Sequence, residues 1–160
     1  MSGFDLATLD TGDTAEEGSI LELRNPSTGE LLLDQGQPVT IRLAGEDSPQ
    51  YRKAQHAAQN RRLQRGNLAK LKAEELESDT LEIYAACTLG WRGLALDGEE
   101  LPCTKANALM LYRRPGMKWL ADQVADFIRD RANFLPASPT NSLPSSSTSS
   151  GSTKLSATAN

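Results

Sequence analysis

The segment that most constrains this chain is Asn107 to Leu135, NALMLYRRPGMKWLADQVADFIRDRANFL. Pro115-Gly116 cannot continue a helix, so the segment must be two helices with a sharp break between them. After the break, Leu120, Val124, Phe127 and Ile128 recur at i, i+4, i+7 and i+8. That spacing puts them in one apolar stripe and predicts an amphipathic helix over residues 117–132. A second stripe, Asp122, Asp126 and Asp130, lies on another face. With Lys118 and Arg129 beside it and no His or Glu joining it, it is read as a solvated face and no metal is expected there. Beyond Leu135 the composition collapses into Ser and Pro.

The folded part is therefore shorter than 160 residues. From Pro136 to Asn160 there is no acidic residue, one Lys and no aromatic. Such a segment buries too little surface to offset its ordering entropy, and residues 136–160 are expected to be a disordered tail. Residues 1–18 carry Asp5, Asp10, Asp13, Glu16 and Glu17 with no base before Arg24, and are expected to be a flexible acidic lead. About 115 residues remain, enough for one modest core. The domain is placed at 19–135.

Within it, Ser19 to Arg24 and Glu30 to Leu33 read as a hairpin around the turn-rich Asn25-Pro26-Ser27-Thr28-Gly29 loop. Val39, Ile41 and Leu43 then alternate with polar residues, as a half-buried strand does. The expectation is a β meander of about three strands over 19–43. It needs helices to cover one face.

Ser48 followed by Pro49 is a helix start, since proline's missing N–H costs nothing at the first helical position. The predicted helix runs from Tyr51 to Glu77. Arg52 and Lys53 at its start and Glu74, Glu75 and Glu77 at its end oppose the macrodipole, so such a helix needs a partner. Ser78 is expected to cap a core helix over Asp79 to Leu89, apolar on most sides. Trp91 to Pro102 reads as a loop with a tight turn at Asp97-Gly98. Thr104 is expected to cap a helix over Lys105 to Arg113. The fold class is α+β: a short N-terminal antiparallel meander followed by a four-helix, mainly α core over 48–135.

Chemistry is scarce. The one histidine, His56, sits on a polar, basic helix and reads as an exposed residue. No glycine-rich phosphate loop occurs. Cys87 and Cys103 lack metal-ligand spacing and read as reduced thiols. No catalytic, cofactor or metal residue is assigned, and an enzyme is not expected. No apolar run approaches the ~18 residues of a membrane span, and no signal peptide is evident. A soluble, cytoplasmic protein is the expectation. The net charge is −4, yet residues 52–72 hold Arg52, Lys53, Arg61, Arg62, Arg65, Lys70 and Lys72 without an acid. That helix could meet phosphates, but no stacking aromatic follows Tyr51, so solvated charge or an acidic protein partner is preferred to nucleic acid.

The order of motifs resembles a family. Trp91 stands before the Asp97-Gly98 turn, then Pro102 and a polar cap, then Asn107-Ala108 into a helix ending at Leu111-Tyr112. Trp119, Gln123, Val124 and Phe127 follow, then Asn133-Phe134-Leu135. This resembles the tail assembly chaperones of long-tailed, siphovirus-like bacteriophages and prophages, over about residues 19 to 135. Cys103-Thr104 departs from the pattern, which has an apolar residue and then serine. The resemblance implies a late, non-enzymatic protein of viral tail assembly, acting in the cytoplasm of the infected host and absent from the mature virion. Its implied partner is the tape measure protein, with the tail tube protein and self-association as further possibilities. Tyr112, Trp119 and Phe134 are the candidate anchors for that partner. The rival readings are a structural tail or connector protein of the virion and a small nucleic-acid-binding regulator using residues 52–72.

Overall fold

A computed structural model describes residues 3–66 and 72–136. Of the tail expected at 136–160, residues 137–160 lie outside the described residues. Among those described, five α-helices pack with small antiparallel sheets.

The main sheet has three strands: β1 (Ser19–Glu22), β4 (Thr40–Leu43) and β5 (Thr88–Arg92), in the order β1-β4-β5. Leu21 pairs with Ile41, and Ile41 with Trp91. Leu21, Ile41 and Trp91 thus share the face that meets the helices, with Leu23 and Leu43 beside them. This corrects the meander in two ways. First, β1 pairs directly with β4, because burying Leu21 and Leu23 beside Ile41 and Leu43 removes more apolar surface from water than pairing with Glu30 to Leu33 would. The return segment wedges in only at the far end. There Leu32 N–H donates to Leu23 O at 2.9 Å and Val39 N–H to Leu32 O at 2.8 Å. A short hairpin of β2 (Leu33–Asp34) and β3 (Gln37–Pro38) completes the excursion. Second, β5 comes from a stretch read as the end of a helix and a loop.

The helices divide differently from expectation as well. Helix α2 spans Pro49–Arg65 and stops at Gly66, which takes the left-handed conformation at φ 66°. Glycine does so without a Cβ penalty, and this is a common helix ending. Helix α3 spans Ala73–Ala86. With the break at Gly66 rather than at Ser78, Arg62 and Arg65 fall in the last turn of α2, and Glu74 and Glu75 in the first turn of α3. Both pairs then complement the helix dipoles. The charge conflict of the sequence reading disappears, except at Arg52 and Lys53.

The segment expected to be loose carries a 3-10 turn, Leu6–Leu9, and helix α1, Gly12–Glu17. Ala15 of α1 is buried against Gly45, whose added Cβ would stand 3.0 Å from both Ala15 and the Phe134 ring. The lead is therefore docked from Thr11 onward. The Asp97-Gly98 turn joins β6 (Ala95–Leu96) and β7 (Glu99–Glu100). Both of its residues have positive φ, 53° and 85°, as a two-residue hairpin turn of matching twist requires.

Helices α4 (Lys105–Arg113) and α5 (Lys118–Arg129) flank a 3-10 turn at Pro115–Met117, as the Pro-Gly break predicts. Helix α5 ends three residues earlier than expected. Asp130 caps a second 3-10 turn, Arg131–Phe134, by accepting from Ala132 N–H at 3.0 Å. Leu120, Val124 and Ile128 of the stripe are buried, with Ala121 and Ala125 between them. The core lies between the inner face of the sheet and helices α3, α4 and α5.

Candidate partner-binding surface

The motif residues of the C-terminal half sit at the joints of this core. Trp91 Nε1–H donates to Leu101 O at 2.7 Å, tying β5 to the end of the β6–β7 hairpin. Thr104 Oγ1 accepts from Asn107 N–H at 3.0 Å, and Asn107 Nδ2–H donates to Pro102 O at 2.8 Å. Together they fix the entry angle of α4. The side-chain amide of Gln123 behaves like one residue of an extra strand. Its Oε1 accepts from Arg24 N–H at 3.0 Å and its Nε2 donates to Arg24 O at 2.8 Å. Asn133 Nδ2–H donates to Phe127 O at 3.1 Å, and Ser19 Oγ–H donates to Asn133 O at 2.7 Å. These bonds tie Ser19 of β1, and Arg24 just past the end of that strand, to α5 and the turn after it.

Of the three candidate anchors, two are corrected. Tyr112 is 3% exposed and Phe134 is 1% exposed. Tyr112 OH lies 2.7 Å from Thr88 Oγ1, and burial pushes its phenol well above the usual range. Phe134 packs edge-to-face on Phe127, with ring centres 5.6 Å apart. Both take the place in the core that their size favours once the chain closes on itself. Trp119 is half-buried against the core and keeps some open surface.

Most of the remaining chemistry-bearing residues are engaged or sealed. Burial pushes the Cys87 thiol up to about 12 and raises that of Cys103, so neither is a poised nucleophile. Arg62 binds Asp79 at 2.8 Å, and Arg61 bridges Asp79 at 3.2 Å and Glu82 at 2.8 Å. Arg65 faces Glu75 at 3.4 Å. Three of the arginines that made residues 52–72 look like a phosphate-binding helix therefore pair with α3. In the Asp stripe, Asp122 binds Lys118 at 2.9 Å, Arg129 stands 3.9 Å from Asp126, and Asp130 is the cap already described. His56 is exposed on α2. Among the described residues no group of three or more His, Cys, Asp or Glu side chains is placed to hold a metal ion. No helix there is long and apolar enough to cross a membrane.

No family model, curated protein or solved structure matches this chain. Its surface must be read from its own geometry.

Two open grooves matter most. One, of about 530 Å³, lies where α3, the end of α4 and the start of α5 meet. Leu81 and the edge of Tyr112 line it with Pro115, while Arg113, Arg114 and Lys118 supply a basic rim opposite Glu74 and Glu77. The other, of about 560 Å³, lies along the outer side of α2 and is lined by Asp47, Pro49, Arg52, Lys53, His56, Ala57 and Asn60. The sequence gives no local signal for either groove, because each is made by residues from separate elements or by the side of a helix left uncovered.

Proposed function

We propose that the chain is a non-enzymatic tail assembly chaperone of a long-tailed bacteriophage. In this reading it engages the tape measure protein in the host cytoplasm and is left out of the finished particle. The observation that carries the reading is the ordered motif set. Trp91, Asn107, Gln123, Asn133 and Phe134, spread over more than forty residues, each make a specific joint of one fold. That supports treating them as one motif rather than as chance composition.

Apolar helices that would aggregate alone are the kind of partner a grooved helical surface can hold. The groove between α3, α4 and α5 suits such a helix, with Leu81 and Pro115 in the groove and Arg114 and Lys118 at its rim. Trp119 is the one of the three anchors with surface to offer.

Co-expression with a tape measure protein from the same genome tests the reading. The expected result is a soluble complex that copurifies, and its weakening by Arg114→Glu. A tape measure that stays insoluble, with the chain alone in the supernatant, would overturn it. Mass spectrometry of purified particles adds an independent check: the chain is expected to be absent, and its presence would indicate a structural virion protein instead.

A further inference from the structure

Two surfaces outside the core lack a partner among the described residues, and they are opposite in charge. The first precedes α1. Phe4, Leu6 and Leu9 are 71%, 75% and 53% exposed. The only ionised side chains over residues 3–17 are Asp5, Asp10, Asp13, Glu16 and Glu17. The turn that carries the apolar side chains is nevertheless built. Asp5 Oδ1 accepts from Ala7 N–H at 3.0 Å, and Thr8 Oγ1–H donates to Asp5 O at 2.8 Å. Three large apolar groups exposed within six residues, on and just before a formed turn, mark an interaction surface.

The second surface is the groove along the outer side of α2. Its cations, Arg52 and Lys53, form no ion pair among the described residues, in contrast to Arg61, Arg62 and Arg65. Its one carboxylate, Asp47, is engaged by Arg131 at 2.8 Å and by the Thr11 hydroxyl. The groove is left basic, with Pro49, Ala57 and the aliphatic stems of Arg52 and Lys53 as its apolar wall.

The two surfaces meet at one lip. Thr11 bonds Asp47, and Gln50 Nε2–H donates to Glu16 O at 3.0 Å. The arm leaves α1 beside its own groove, yet Phe4, Leu6 and Leu9 stay in solvent, so it is not seated there in its own chain. We propose that the arm, residues 3–10, lies in the α2 groove of a second copy of this chain, and that the second copy returns the contact about a two-fold axis. With its 3-10 turn the eight-residue arm reaches about 21 Å, enough to cover the ~17 Å of α2 between Pro49 and Asn60 that lines the groove. The arm supplies acid and apolar side chains where the groove supplies base and an apolar wall. Both halves of the contact are on one chain, which is what a closed, reciprocal dimer requires. The proposal does not rest on the phage reading.

Sedimentation equilibrium of the full chain at low salt, over a concentration series, tests it. A monomer–dimer equilibrium is expected. The variant Phe4→Ser/Leu6→Ser/Leu9→Ser and the variant Arg52→Glu/Lys53→Glu are each expected to weaken it at least about tenfold. All five positions are exposed, so unchanged circular dichroism is expected for both. Mixing the two variants should restore association above that of either alone, because the mixed pair keeps one intact arm on one intact groove. A native chain that stays monomeric, a dimer insensitive to both variants, or a mixture no better than its components would each overturn the proposal.

Discussion

Helix α5 buries Leu120, Ala121, Val124, Ala125 and Ile128 within twelve residues, whereas α2 buries only Ala58 within seventeen. Apolar area fixes the position of α5. Helix α2 is held by its ends and by charge: Ser48 at the start, Gly66 at the stop, and arginines reaching across to α3. The first kind of attachment is not screened by salt. The second is weaker, is screened by salt, and leaves one side of the helix uncovered. Function is therefore expected on α2 and at the α3–α4–α5 junction rather than along the α5 stripe.

The comparison breaks most visibly at Ile128, which has no exposed surface. Ile128→Ala leaves a cavity under the sheet and is expected to destabilise the fold by about 2–5 kcal/mol. Denaturant unfolding measures it, and a loss near zero would mean that α5 is not the helix that closes the core. Ser48→Ala comes next. Ser48 is buried and its Oγ accepts from Tyr51 N–H at 3.1 Å, so losing the cap should cost about 1 kcal/mol. The loss should be read together with helix content, since fraying is expected to begin at the start of α2.

Asp79→Asn probes the attachment of α2 by charge. It weakens the pairs to both Arg61 and Arg62 and is expected to cost about 1 kcal/mol at low salt. Unlike the Ile128 effect, it should shrink in concentrated salt; an unchanged difference would show that packing, not charge, holds the hairpin. The smallest expected effect is at Asp47. Hydrogen bonds from Arg131 and then Thr11 hold its carboxyl below the usual range. The ionised form is thus favoured in the fold, so its contribution is present above the ordinary carboxylate pKa and is lost as pH falls through the lowered one. Asp47→Asn should be less stable than the native chain at neutral pH and indistinguishable from it in strong acid. A constant difference across that range would rule out the ionised pair as its source.

The parts legible in the sequence are those written by neighbours in the chain. Thr104 caps α4 and Pro115-Gly116 breaks it, as their side chains and missing N–H dictate. The period of Leu120, Val124 and Ile128 gave the buried face of α5, and Asp97-Gly98 gave its turn. The parts misread are those chosen between distant segments. Thr88 to Arg92 carries no clear alternation and becomes a strand only because β4 offers it an edge. Gly66 and Ser78 are both plausible punctuation, and pairing of Arg61 and Arg62 with Asp79 fits the break at Gly66. Tyr112 and Phe134 could have been anchors or core by composition alone.

By itself, the sequence determined the Ser48 and Thr104 caps, the Pro115-Gly116 break, the apolar period of α5, and the acidic lead and basic stretch of the chain. These follow from hydrogen bonds and spacings within a few residues. Only the tertiary structure decided that β1 skips its nearest partner for β4, that β5 exists, and that two of three candidate aromatics lie inside. Those outcomes depend on which surfaces, far apart along the chain, remove the most apolar area from water together, and no local pattern encodes that choice.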